Sequence, residues 1–98
     1  MTEPTSDALL PPGLVPCGST RTFTRETLPA GLLRDHSLRA GRWGLLQLLE
    51  GTVTFVDQER ELEVELSAPA THLIAPQALH HLEVEGPFSC RIEFFEAG

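Results

Sequence analysis

The sequence predicts a single all-β domain, a small barrel or sandwich, and three observations support that prediction. Apolar and polar residues alternate in four separate segments, turn-forming residues stand between those segments, and no stretch of twelve residues repeats its apolar positions with a helical period. The chain has 98 residues, which is enough for one modest core. A sheet of this size must curl over itself to cover its apolar face.

Each alternating segment is expected to form a strand with one buried and one exposed face, because successive side chains of a strand point to opposite sides. The four segments are residues 52–55, 61–66, 82–85 and 91–94. Turns rich in glycine, proline and aspartate are predicted at residues 29–31, 40–41, 50–51, 57–58, 68–69 and 86–87. Their spacing suits short antiparallel strands.

The segment Leu45–Leu49 is apolar at every position except Gln47. Such a run indicates a strand covered on both faces or a strand at a subunit contact. Because a chain this short covers only one face of its sheet, we expect a homodimer built on this segment.

The first part of the chain differs from the rest, because it is rich in proline and small residues and lacks periodic apolar positions. We expect residues 1–19 to form a proline-rich arm that docks on the body or stays loose. Residues 20–98 are expected to form the single domain. Glu3 and Asp7 stand where a signal peptide carries basic residues, and no run of eighteen apolar residues occurs, so the cytoplasm is the expected location.

The charge balance excludes several classes of partner and reaction. Seven basic and fourteen acidic residues give a net charge of −7, which repels nucleic acid and anionic membranes. Every basic residue is arginine, and the chain has neither lysine nor tyrosine. A phosphate-binding loop, a Schiff-base lysine and a tyrosine acid are therefore excluded.

Histidine is the residue type most suited to chemistry here, and three of the four histidines lie within ten residues, at His72, His80 and His81. Strand alternation places His80 on the inner face with Leu82, and His81 on the outer face with the glutamates. A buried imidazole needs a partner for its ring nitrogens, and a metal, a carbonyl or a water would serve equally. His72 is interpreted as structural.

Several segments in order resemble a known family. The run Ile74-Ala75-Pro76-Gln77-Ala78-Leu79-His80 resembles the second motif of cupins, in which a proline turn leads into a strand bearing a metal-binding histidine. The further segments 31–36, 41–44 and 91–95 make the chain similar to the TehB/YeaR-like family of small cupin domains, which occur alone or fused to the methyltransferase of tellurite-resistance protein B. The resemblance implies a small cupin-like jelly-roll barrel.

The resemblance also implies a set of metal ligands. His36 and His80 match the early and late histidines of the family, and Gln77 matches a position that is Gln or Glu in relatives and could supply an oxygen ligand. These three residues would bind zinc, iron, nickel or manganese, with His81 as a reserve ligand and open positions for a small-molecule or oxyanion ligand. In relatives a basic residue often stands where Leu45 is here, so any anion pairing is either missing or moved to Arg42 or Arg91.

Two functional classes stay open. The first is a small cupin with a divalent-metal pocket, tied through its family to tellurite resistance and stress tolerance. The second is a non-catalytic module without metal that binds a small molecule or forms a dimer. Whether the protein is an enzyme is left undecided, because neither a fold nor a resistance phenotype establishes a reaction.

Overall fold

The computed structural model describes residues 10–98 and confirms the all-β prediction. Within this range the only helical element is a single 3-10 turn, Ala30–Leu33, and no helix could span a membrane. The six strands are β1 Leu14–Ser19, β2 Phe23–Thr24, β3 Trp43–Asp57, β4 Leu62–Ser67, β5 Ala70–Ile74 and β6 His80–Ala97.

Two long antiparallel strands, β3 and β6, form the centre of the sheet. The sheet order is β1-β6-β3-β4, with β2 also paired to β6 and β5 also paired to β3. Every pairing between these strands is antiparallel. The first half of β3 lies between β5 and the end of β6, and its second half lies between β4 and the start of β6.

The β3–β6 pair is interrupted near its middle, where the register shifts between Leu48 and Glu50 and again between Gly51 and Val53. Such bulges bend and twist a strand. Gly51 has a φ of 83°, and a Cβ built there would lie 2.3 Å from the carbonyl oxygen of Pro87, so only glycine fits this close approach.

The bend brings inner side chains from both halves of the sheet into one core. The first half contributes Leu46, Leu48 and Ile92, and the second contributes Val53, Phe55 and Leu82. A single sheet that closes over one core in this way is the cupin-like architecture that the sequence predicts.

The last part of the expected arm docks on the sheet. It forms β1, which begins at Leu14 and pairs with the end of β6, and the domain boundary expected at Thr20 stays a prediction. Pro16 and Gly18 hid this strand, because both residues disfavour a sheet interior but are tolerated at an edge, and the register shifts between them. The expectation of an arm over residues 1–9 lies outside the described residues.

The apolar segment Leu45–Leu49 lies in the first half of β3. Leu45, Leu46 and Leu48 are at most 1% exposed within a single chain, and Leu49 is 47% exposed. The chain therefore covers more of this strand than we expected, and the apolar surface that motivated a homodimer is reduced to one side chain. The homodimer stays a prediction.

Candidate functional site

Backbone pairing brings the two family histidines together. His36 lies just beyond the 3-10 turn and forms an isolated antiparallel bridge with His80, the first residue of β6. Each residue donates its backbone N–H to the carbonyl of the other, and both N···O distances are 2.9 Å. The imidazole centroids lie 4.2 Å apart in an edge-on arrangement. We call His36 and His80 the inner pair.

Both imidazoles of the inner pair have the same tautomer. Nδ1 of His36 lies 2.9 Å from the carbonyl oxygen of Arg34, and Nδ1 of His80 lies 2.8 Å from that of Ala78. A carbonyl oxygen can only accept, so each Nδ1 carries the proton and each neutral ring leaves its lone pair on Nε2. Within residues 10–98 neither Nε2 has a hydrogen-bond partner.

His80 is held neutral by its surroundings. Its side chain stacks on the ring of Phe55, with centroids 5.2 Å apart, and the residue is 3% exposed. Burial lowers the pKa of His80 below its ordinary value of 6.5, and His36 lowers it further, while the bond to Ala78 and the Asp57 carboxylate oppose the shift. A neutral imidazole is the form that binds a metal.

The other two predicted ligands lie elsewhere. Gln77 is an exposed turn residue with a φ of 63°, its N–H donates to the carbonyl of Leu38 over 2.8 Å, and its side chain does not line the cavities beside the inner pair. His81 lies on the outer face. The structure therefore brings together two of the four candidate ligands.

His81 is bound by carboxylates on both sides. Nδ1 lies 2.7 Å from Asp35 and Nε2 lies 3.1 Å from Glu83, and we call these three residues the outer cluster. The hydrogen bonds that the His81 ring donates to Glu83 and Asp35 raise the pKa of His81 above 6.5. Both ring nitrogens therefore donate to carboxylates, which leaves no lone pair for a metal.

His72 lies nearer to the inner pair than its structural interpretation implied. Its ring lies 4.3 Å from that of Phe55, which also stacks on His80, so one phenyl ring contacts both imidazoles. Burial lowers the pKa of His72, and Asp57 opposes this shift. The signal that could place His72 on the inner face is its spacing of two residues from the apolar Ile74, because residues i and i+2 of a strand share a face.

Two adjoining cavities meet at the inner pair. The inner one has a volume of about 10 Å³, which is roughly the space for one water molecule or one ion. It is bounded by His36, His80, Phe55 and five aliphatic side chains, Leu32, Leu46, Ile74, Leu82 and Ile92.

The outer cavity has a volume of about 350 Å³ and opens to solvent. It shares Leu32, His36 and Ile92 with the inner one. The rest of its wall consists of Thr20, Phe23, Pro29, Gly31 and Phe94. The 3-10 turn that supplies Gly31 and Leu32 overlaps the turn predicted at residues 29–31, although four residues are too few to show a helical period.

A larger groove of about 500 Å³ lies on the outer face of β3, β4 and β6, away from the inner pair. Glu65, Glu83 and Glu85 line it. It matches the solvated acidic face of alternating strands and contains no buried polar side chain, so the inner pair is the stronger candidate site.

The inner pair suits a metal ion, because both Nε2 lone pairs are available and the inner cavity has room for one ion. The number of protein ligands, however, is small. Among residues 10–98, no three His, Cys, Asp or Glu side chains lie close enough together to hold an ion. An ion bound here would have two imidazole ligands from the protein, and its other positions would be filled from solvent or from a bound molecule.

An all-β sheet closed over one core, with two imidazoles beside an apolar cavity, defines a small cupin-like domain. The chain belongs to the TehB-like domain family, whose model matches residues 18–92. The resemblance seen in the sequence is thereby confirmed.

Curated relatives include the probable S-adenosyl-L-methionine-dependent methyltransferases TehB of two Haemophilus influenzae strains. Each is 27% identical to this chain over 79 residues, which cover 74% of the chain and 28% of the relative. The methyltransferase description thus belongs to proteins of which this chain spans little more than a quarter.

Two solved structures share the fold. A structural-genomics target from Escherichia coli K12 superposes with a TM-score of 0.82 at 21% identity, covering 91% of this chain and 96% of that one. The crystal structure of TehB from Haemophilus influenzae superposes with a TM-score of 0.78 at 23% identity, covering 88% of this chain and 32% of that one. At these identities the likeness concerns the fold.

Proposed function

We propose that this cupin-like domain binds one divalent transition metal through Nε2 of His36 and Nε2 of His80, and holds a small molecule in the adjoining cavity. The observation that supports this most is the shared tautomer: both Nδ1 atoms donate to backbone carbonyls, so both Nε2 lone pairs are available. Backbone carbonyls that fix the tautomer of a histidine ligand are typical of metal sites.

The protein fixes the position of the two imidazole ligands and favours the neutral form of His80. The paired backbone hydrogen bonds hold the two residues together, and the apolar wall limits the inner cavity to the space of about one ion or one water molecule. Burial keeps His80 neutral, so we expect metal affinity to fall as the pH drops below about 6, where histidine takes up a proton. A bound metal would supply a Lewis acid with open positions.

Metal content per chain tests the proposal. Protein purified without a histidine tag is stripped with EDTA, exposed separately to zinc, iron(II), nickel or manganese, dialysed and analysed for metal. We expect about one ion per chain for at least one metal, and near zero for His36→Ala and His80→Ala. His81→Ala is the matched control, because it removes a neighbouring imidazole from the outer face, and it should retain most of the metal.

A metal-free binding module is the second candidate, because the described residues supply only two imidazole ligands and the outer cavity is apolar. If the unaltered protein takes up none of the four metals, or if both inner-pair variants keep their metal while circular dichroism shows them folded, the metal site is refuted. The second candidate then stands.

A further inference from the structure

We infer that the ligand of this site is a small molecule with an apolar body and one polar head, rather than a bare oxyanion. This inference deepens the proposed function, because it names the class of molecule that the cavity beside His36 and His80 accepts. It rests on the walls of that cavity, on where the arginines are engaged, and on the path between the two cavities.

The outer cavity has the size and lining of a site for an organic molecule. Its volume of about 350 Å³ lies within the range of roughly 300–1,000 Å³ that is usual for small-molecule sites. Apart from Thr20 and His36, its lining side chains are the apolar residues Phe23, Pro29, Leu32, Ile92 and Phe94. A fully hydrated anion would gain nothing from these walls and would lose its water.

All seven arginines lie within residues 10–98, and none of them lines either cavity. Arg42 binds Glu96 with an Nε···Oε2 distance of 3.0 Å and lies over the Phe94 ring, and Arg91 donates to Gln47 over 2.6 Å. Relatives often carry a basic residue at the position of Leu45, and Arg42 and Arg91 are the two arginines that could take over its anion pairing. Both arginines are engaged outside the cavities. With a net charge of −7 on the chain, a multiply charged oxyanion has no arginine here to offset its desolvation.

The shared wall determines how a ligand would lie. Leu32, His36 and Ile92 border both cavities, so an apolar body in the outer cavity can direct one head group toward the inner pair. The inner space holds about one small atom or ion, so it takes either the metal, which the head group then contacts from the outer cavity, or the head group itself. A carboxylate suits a metal-loaded pair, and a hydroxyl suits a metal-free pair, because a neutral Nε2 can only accept.

The experiment measures how affinity depends on chain length. The zinc-loaded protein is titrated calorimetrically with acetate, butanoate, hexanoate and octanoate, and with selenite as a bare oxyanion. The metal-free protein is titrated with ethanol, butanol, hexanol and octanol. We expect Kd to fall about threefold to fourfold per methylene in each series until the cavity is full. Selenite should bind more weakly than hexanoate.

A pair of adjacent substitutions supplies the control. Leu32 lines both cavities, whereas the next residue, Leu33, is 42% exposed and lines neither. Leu32→Ala should weaken hexanoate binding roughly fivefold to tenfold, since it removes buried apolar contact, and should leave acetate binding nearly unchanged. Leu33→Ala should change neither. Unaltered circular dichroism and Tm show that both variants are folded.

The outcomes separate this inference from the metal proposal. A Kd independent of chain length, selenite binding as tight as hexanoate, equal effects of the two leucine substitutions, or no binding in either series would overturn the inference. If the protein takes up zinc but Kd does not change with ligand chain length, the metal site is supported and the apolar-ligand inference is overturned. Failure to bind zinc, combined with a steep alkanol series, would refute the metal site and support the apolar ligand.

Discussion

His80 and His81 are neighbours in the chain and have opposite chemistry. His80 is 3% exposed, its Nδ1 donates to a backbone carbonyl, and burial lowers its pKa. His81 lies on the outer face between two carboxylates, and those hydrogen bonds raise its pKa. One step along a strand therefore separates a neutral base, suited to binding a metal, from a cation held by ion pairs.

The two faces are linked through adjacent residues. The outer cluster joins His81 to Asp35, and the backbone bridge joins His80 to His36, which follows Asp35 in the chain. The same two chain segments are thus connected twice, by backbone hydrogen bonds at His36 and His80 and by a side-chain contact on the outer face. The outer contact is a partly exposed histidine–carboxylate pair, so it contributes less to stability than the buried face.

The largest expected difference between the faces is in stability. Phe55 is 2% exposed and contacts both His72 and His80, so Phe55→Ala should destabilise the fold by about 3–5 kcal/mol through lost burial and a cavity. The adjacent Thr54, which lies on the outer face, is the control, and Thr54→Ala should cost about 0.5 kcal/mol or less.

Urea denaturation followed by circular dichroism measures both changes. Should Phe55→Ala fail to fold, Phe55→Leu keeps the comparison available, with a smaller loss of about 1–1.5 kcal/mol. Equal costs at positions 54 and 55 would show that the faces are assigned wrongly.

The faces on which His80 and His81 lie could be predicted from local sequence, because successive side chains of a strand point to opposite faces. Alternation with Leu82 placed His80 inside and His81 outside, and the structure confirms both placements. It could not supply the partner of His81, because Asp35 lies 46 positions away and reaches it only through the fold.

Contacts between residues far apart in the chain also explain why the sequence did not predict other features of the site. The sequence placed Gln77 with the histidines through family likeness, but the backbone bond from its N–H to Leu38 belongs to a loop contact that no local pattern shows. The sequence left open whether the arm docks on the body, because the partner of the strand that begins at Leu14 is the end of β6, at the other end of the chain. The lining of the outer cavity, from Phe23 to Phe94, exists only once distant strands meet.

Acid should destabilise the protein through the inner face. The folded-state pKa of His80 lies below 6.5, so as the pH falls past 6.5 the unfolded chain takes up a proton before the folded one does. The stability that neutral His80 contributes above pH 6.5 is therefore lost progressively as the pH falls from 6.5 to the folded-state pKa of His80. In EDTA-treated protein, Tm should fall between pH 7.5 and 5 more steeply for the unaltered chain than for His80→Leu. Parallel Tm curves would contradict a depressed pKa at His80.

The outer face should show a smaller effect of the opposite sign. The folded-state pKa of His81 lies above 6.5, so its contribution is fully present below 6.5 and is lost as the pH rises through the folded-state pKa. Tm should therefore drop by up to about 5 °C more in the unaltered protein than in His81→Gln as the pH rises from 6.5 to 9, since such pairs are worth about 1 kcal/mol or less. An identical alkaline drop in both proteins would argue against a charged His81.

The most direct test of the inner pair is the nitrogen NMR signal of each imidazole during a zinc titration at pH 7.5. In long-range proton–nitrogen spectra of labelled, metal-free protein, His36 and His80 should show protonated Nδ1 and unprotonated Nε2. Zinc should shift the Nε2 signals of both residues and leave both nitrogens of His81 unchanged. A zinc response at His81 with none at His36 and His80, or a proton on Nε2 of the neutral inner pair, would contradict the account.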